Sequence, residues 1–359
     1  MRFRVSEILA PTTIGTAGTE TIDIKTSDVI SRLVIRAEVQ DKTNRPSGHL
    51  QETISKIEIV DGSEVIYELT GMMANAADFY QAGRAPFQRL TYVDDFYPRL
   101  TFNLWFGRYL WDTEWAFDPK RFNNPQIKIT WDADAVLAGA SDVELSVFAD
   151  VFPEGTAAPV GFLMSKEVYS YAMSNDAHEY VDLPLDYDLR QLYVQARYDA
   201  QYFYTTLNGL RLNIDQGKLV PYDLDGRELE VLMCELFGFY EERVRDEIQT
   251  ANAPTYITPH ERVALGVLGE DDENLRGGGD DHVGGQANII SETSTNKAWL
   301  LVQGALPGGV VCMPFGRKEE PKSWLDVAGM KNLELRLLGG SFCAGADTAR
   351  VAVQQARTY

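Results

Sequence analysis

Cysteine is scarce: Cys234, Cys312 and Cys343 are the only three in 359 residues, and none stands in a CxxC spacing. That argues against a disulfide framework and against a cysteine zinc site, and leaves reduced packing thiols. No apolar run nears the roughly 20 residues that span a bilayer. The start, Met1-Arg2-Phe3-Arg4-Val5, has basic residues but no following apolar stretch of signal-peptide length, so no secretion is expected. Basic runs are missing too. Against 53 acidic residues stand 33 basic ones, a net charge of −20 with a pI near 4.6. A protein that grips phosphate backbones needs a basic face, so no specific nucleic-acid binding is expected. The charge suits a protein kept soluble at high copy number. No GxxxxGK[ST] phosphate loop occurs, and His49, His178 and His260 are isolated, without metal-ligand spacing.

What is present is β structure. Thr21–Ile24, Leu33–Ala37, Ile57–Ile59, Gln126–Trp131 and Val143–Val147 mostly alternate apolar and polar residues, as strands with one buried face do. Gly, Pro, Asn and Asp punctuate them, which favours a sandwich over a parallel α/β sheet. Three helices are expected. One follows Asp225, with Glu228 completing a capping box and Leu229, Leu232, Met233, Leu236, Phe237 and Tyr240 on one stripe. A short one is signalled by Thr258-Pro259-His260-Glu261, and another covers Met72–Tyr80. Residues 269–285 are acidic and glycine-rich and read as a long mobile loop, removable without loss of folding.

The chain repeats itself. Glu20–Ile24 aligns with Glu179–Leu183 at a displacement of 159, and in the same register Ile30, Leu33, Ile35 and Ala37 meet Leu189, Leu192, Val194 and Ala196. Ile54, Ile57 and Ile59 then meet Leu207, Leu210 and Leu212, and Tyr67–Gly71 meets Tyr222–Gly226 at a helix start in both copies. Phe106-Gly107-Arg108 returns as Phe315-Gly316-Arg317, and Asn124–Ile129 as Asn332–Leu337. Ala138-Gly139-Ala140 returns as Ala344-Gly345-Ala346, followed by Leu145 and Val147 against Val351 and Val353. The displacement grows to about 206 because the second copy is longer. The long helix, the capped short helix and the acidic loop are assigned to that added length, between Tyr240 and Asn296.

The fold class expected is all-β: two tandem eight-stranded jelly-roll sandwiches, with short helices and the long acidic loop in the second. Residues 1–18 read as an N-terminal arm, 19–155 as the first sandwich and 156–359 as the second, with an insertion at about 241–296. In its tandem β-sandwiches, each with a helix after a mid-copy strand, the chain resembles the double jelly-roll major capsid proteins. Adenovirus hexon and the coat proteins of tailless bacterial and archaeal viruses belong to that family. Its length is nearest the compact corticovirus-like and finnlakevirus-like members. The resemblance covers nearly the whole chain and rests on architecture, with no diagnostic short motif. It implies a structural coat protein with no catalytic, cofactor-binding or metal residues and no cofactor. The implied assembly is a homotrimer filling pseudo-hexagonal positions of an icosahedral shell. Implied partners are neighbouring capsomers, minor capsid or vertex proteins and, in some members, an internal virion membrane. The implied location is the virion, after synthesis in the host cytoplasm.

Two constellations invite other chemistry. Asp112-Thr113-Glu114 between Trp111 and Trp115 suggests a saccharide cleft with two carboxylates, the basis of a rival reading as a tandem-sandwich carbohydrate-binding or carbohydrate-active protein. Asp271, Asp272, Glu273, Asp280, Asp281 and His282 offer hard ligands for calcium, without an EF-hand pattern. The aromatic run Phe102–Trp111 reads first as core packing, with subunit contact through its aromatics and Arg108 as the alternative.

Overall fold

The computed structural model describes the chain except residues 1–2, 41–45, 94–95, 249–253, 271–274, 278–282, 291–295 and 347. Strands are numbered β1 to β23 along the chain. The first sandwich faces the sheet β1 (Arg4–Thr13), β9 (Asp142–Phe152), β3 (Val29–Gln40) and β7 (Arg99–Trp105) with β2 (Ala17–Asp23), β8 (Pro125–Asp132), β4 (Ile54–Asp61) and β5 (Glu64–Leu69). In the second, β10 (Gly161–Tyr171), β23 (Ala349–Thr358), β12 (Leu189–Gln195) and β21 (Val310–Pro314) face β11 (His178–Asp182), β22 (Leu333–Gly339), β13 (Leu207–Ile214) and β14 (Leu219–Asp225). The order is the same in both copies, the two-Greek-key pattern of a jelly roll. Between the copies β5 lies parallel to β10, with Glu68 opposite Lys166, so one sheet of eight strands runs through both sandwiches.

Alternation builds each core. Ile127 and Ile129 on β8, and Leu335 and Leu337 on β22, are fully buried at equivalent places. Helix α1 (Gly71–Ala82) and helix α3 (Gly226–Phe237) follow β5 and β14, are both 12 residues long and end at Gly83 and Gly238. Thr70 caps α1 by accepting from the Met73 N–H, and Asp225 caps α3 in the expected box with Glu228. Both helices begin on glycine where the chain passes close to the first residue of β4 or of β13. A Cβ on Gly71 would lie 2.6 Å from the Ile54 carbonyl oxygen, and one on Gly226 2.3 Å from that of Leu207, its repeat equivalent. A one-turn helix, α2 (Phe203–Thr206), leads into β13.

Several expectations need correction. Residues 1–18 are no free arm, since β1 pairs along β9 as the edge strand of the first sandwich. It repeats as β10, with the same bulge after Glu7 as after Glu167. The last strand is offset by 204, not 206: Leu33 pairs with Ala149 where Leu192 pairs with Val353. A two-residue error keeps every side chain on its face, so the alternation could not reveal it. Helix α3 belongs to the repeat rather than to the added length, and Tyr240, expected on its stripe, begins β15 (Tyr240–Ile248).

Thr258-Pro259-His260-Glu261 starts no helix. Pro259 opens β17 (Pro259–Gly269), whose partly buried Val263, Leu265 and Val267 alternate at strand period, and pairing along β20 (Asn296–Pro307) outweighs the local capping signal. The added length thus folds as β structure. β17, β20 and β15 form a sheet completed by β6 (Leu90–Tyr92) from the first copy, while β16 (Pro254–Tyr256), β19 (Gln286–Ile290) and β18 (Arg276–Gly277) form a small second sheet. The 269–285 segment is only partly a loop. Glu270 is ion-paired with Arg245, β18 lies within the segment, and Val283, Gly284 and Gly285 are buried. Its full deletion therefore removes packed structure, contrary to the expectation from composition.

Candidate functional site

The place where the two sandwiches meet is the most elaborately built part of the molecule. Arg190, at the start of β12, is 1% exposed, and its Nη1 donates to Gln81 Oε1 on α1 at 2.9 Å, to Gln191 at 3.2 Å and to Gln354. Gln81 in turn donates to the Arg108 carbonyl at 2.8 Å, and its own carbonyl accepts from Lys318. Burial lowers the pKa of Arg190, and burial with Arg190 nearby brings that of Lys318 to about 8. Trp115 and Trp324, one from each copy, meet edge-on across the junction at 5.6 Å. Such a polar network, tied to one geometry, fixes how the sandwiches sit.

The Asp112 and Glu114 carboxylates share a single guanidinium. Asp112 is buried and takes Arg108 Nε at 2.7 Å and Nη2 at 3.0 Å, along with the N–H groups of Arg108, Glu114 and Trp115, while Glu114 takes Nη2 at 2.6 Å. Burial raises the Asp112 carboxyl, but the Arg108 bonds outweigh it and hold it below the usual range. A glycosidase pair needs one acid raised instead. Trp111 is covered by Phe3, stacked at 4.3 Å, and Trp115 is buried against Trp324, so neither offers its face to a sugar. In the aromatic run, Phe102, Leu104 and Phe106 fill the core, as the packing reading expects. Asn103 and Trp105 point the other way, to Asp78 of α1, at 2.6 and 2.7 Å. Arg108 is spent inside the molecule.

Sequence spacing missed a buried polar cluster that the fold assembles from distant segments. His49, 1% exposed, meets Asp199 at 3.3 Å, and Asp199 also pairs with Arg197, which binds Glu52. His260 is fully buried with neither ring nitrogen hydrogen-bonded, and burial brings its pKa to about 3. Glu261 beside it is raised by burial to about 8 and accepts the Phe203 N–H. His178 stays on the surface against Arg336. Among the described residues no group of three or more His, Cys, Asp or Glu stands close enough to hold a metal. Asp271, Asp272, Glu273, Asp280, Asp281 and His282, the possible calcium ligands, lie outside the described residues. Cys312 and Cys343 are buried and all three cysteines are free.

The surface offers two kinds of contact area. On the sheet of the added length, Leu268 and Trp299 pair across strands beside Leu301, all three more than a third exposed. Between that sheet and the first sandwich, Arg32, Asn103, Trp105 and Glu241–Arg243 line a cleft of about 540 Å³. At its base the Asp78 carboxyl is raised to about 6 by burial, against the pull of its two hydrogen bonds.

Two jelly rolls side by side in one chain, joined edge to edge through β5 and β10, make the double jelly-roll fold. The chain matches solved structures of that class over 99% of its length. The major capsid protein P2 of bacteriophage PM2 aligns with a TM-score of 0.56, at 10% identity over 98% of its own chain. The major capsid protein of Sulfolobus turreted icosahedral virus aligns at 0.61, with 10% identity over 96% of its chain, and the PBCV-1 capsid protein at 0.54, with 9% over 93%. No family model matches the chain, and no curated protein matches it by sequence. At such identity the likeness is one of fold, held by strand order and core pattern rather than by residues.

Proposed function

We propose that this chain is the major coat protein of a tailless icosahedral virus, acting as a structural protein in the virion shell. The observation that carries the reading is the duplicated jelly roll with its in-chain sheet junction, matched end to end by the capsid proteins of three different viruses. Three copies of a two-sandwich chain present six similar units, and cyclic symmetry then fills a hexagonal position. The unit is a homotrimer, made in the host cytoplasm and incorporated into the shell. The saccharide reading gains no support from Trp111 or Trp115, whose faces are covered.

Size-exclusion chromatography with light scattering tests this on the full chain. The expected mass is three times 40.2 kDa. A monomer at every concentration, together with absence of the chain from purified particles by mass spectrometry, overturns the reading.

A further inference from the structure

The in-chain junction has two unmatched halves on the surface of the same chain. β5 of the first copy meets β10 of the second, but β14, the equivalent of β5, and β1, the equivalent of β10, are both sheet edges without a neighbour among the described residues. Equivalence is fixed residue by residue. Glu58 pairs with Glu68 as Arg211 pairs with Asp223, and Lys166 pairs with Val353 as Ser6 pairs with Ala149. The sites buried at the junction are bare at the free edges. Ile66 is fully buried while its counterpart Pro221 is exposed, and Ser165 is 3% exposed against 62% for its counterpart Val5.

Resting on the coat-protein reading above, we infer that β14 of one chain lies parallel to β1 of a second copy, with Asp223 opposite Ser6. The sheet β11-β22-β13-β14 then continues into β1-β9-β3-β7 of the neighbour, in the strand order of the eight-stranded sheet inside each chain. The contact differs from its in-chain model in chemistry. Inside the chain Arg357 reaches over β10 to Glu64 at 2.6 Å. The equivalents are Pro153 and Leu219, the latter 57% exposed, so the same place between chains is apolar. Exposed strand edges invite a partner, and this pair is matched in direction and register by the fold itself. A head-to-tail contact closes into a ring or runs on as a filament. A ring of three uses every such edge.

Cysteine pairing tests it. Neighbouring strands lie about 4.8 Å apart, within disulfide reach. The full chain carrying Ser6→Cys and Asp223→Cys, mildly oxidised, is expected to give linked dimers and trimers on a non-reducing gel, with nothing larger. Each single substitution should give neither. The in-chain control, Glu68→Cys with Lys166→Cys, should close within one chain and yield no multimer. If the control closes and the light-scattering trimer survives while the double variant gives no link between chains, the contact is wrong and the coat-protein reading stands. Links running in a ladder beyond three overturn the ring. A wild-type chain that is monomeric throughout overturns the contact, and its absence from purified particles as well overturns the coat-protein reading.

Discussion

Ser31 and Arg190 occupy the same place in the two sandwiches. The carbonyl of each accepts the N–H of the phenylalanine that follows the neighbouring strand, Phe106 in one case and Phe315 in the other. The Ser31 hydroxyl turns back to its own copy and accepts the Trp111 N–H at 2.9 Å, whereas Arg190 extends across the junction to Gln81. The backbone frame has been kept twice, and the side chain at one shared position has been turned from an internal fastening into a link between copies. Repetition therefore marks what the sandwich needs to fold, and departure from it marks what the pair needs to stay together.

That comparison can be broken at graded cost. The largest effect is expected from a charge in the repeated core. Ile129→Asp and Leu337→Asp should each cost more than about 4 kcal/mol and unfold their sandwich. Circular dichroism and soluble yield read this, and tolerance of one but not the other would mean the copies are not equivalent. Next come the crowded helix starts. Gly71→Ala and Gly226→Ala place a Cβ against backbone carbonyls that cannot move aside, for about 2 to 3 kcal/mol each by urea midpoint.

Glu261 has no counterpart in the first copy and sharpens the contrast through pH. Burial raises its carboxyl to about 8, with Glu230 adding to the rise and Arg262 opposing it. A raised acid stabilises the fold below its unfolded pKa, and that contribution is lost as pH rises through the folded value. Glu261→Gln removes this dependence. The variant should gain on the wild type between pH 5 and pH 9 by roughly 2 to 4 kcal/mol, read from thermal melts. A flat difference would mean the carboxyl is not held protonated. Smallest are the caps: Thr70→Ala and Asp225→Ala should each lose about 1 kcal/mol, the second somewhat more because its box is reciprocal.

Most of the repeated frame was legible in the residues, because strand alternation and the paired motifs at Tyr67–Gly71 and Tyr222–Gly226 survive as side-chain patterns. The first strand was missed because only Glu7-Ile8-Leu9 against Glu167-Val168-Tyr169 carries the match, at a displacement of 160 that breaks the gapless 159 register. The proline-capped helix failed for a different reason: a local cap was weighed without the sheet partner that claims those residues. The His49, Asp199 and His260 cluster was hidden because its members come from three segments brought together only by the fold.

β6 has a consequence for the order in which the protein is made. Leu90–Tyr92 pairs with Val244–Asp246, which leave the ribosome 154 residues later (244 less 90). The nascent first sandwich can close its two sheets once β9 has emerged, yet this short strand must wait for most of the second half to be translated. During that wait it is an open strand edge, in a cell where many identical chains are growing side by side. Its three-residue length keeps that edge too short to template much pairing with a neighbouring chain.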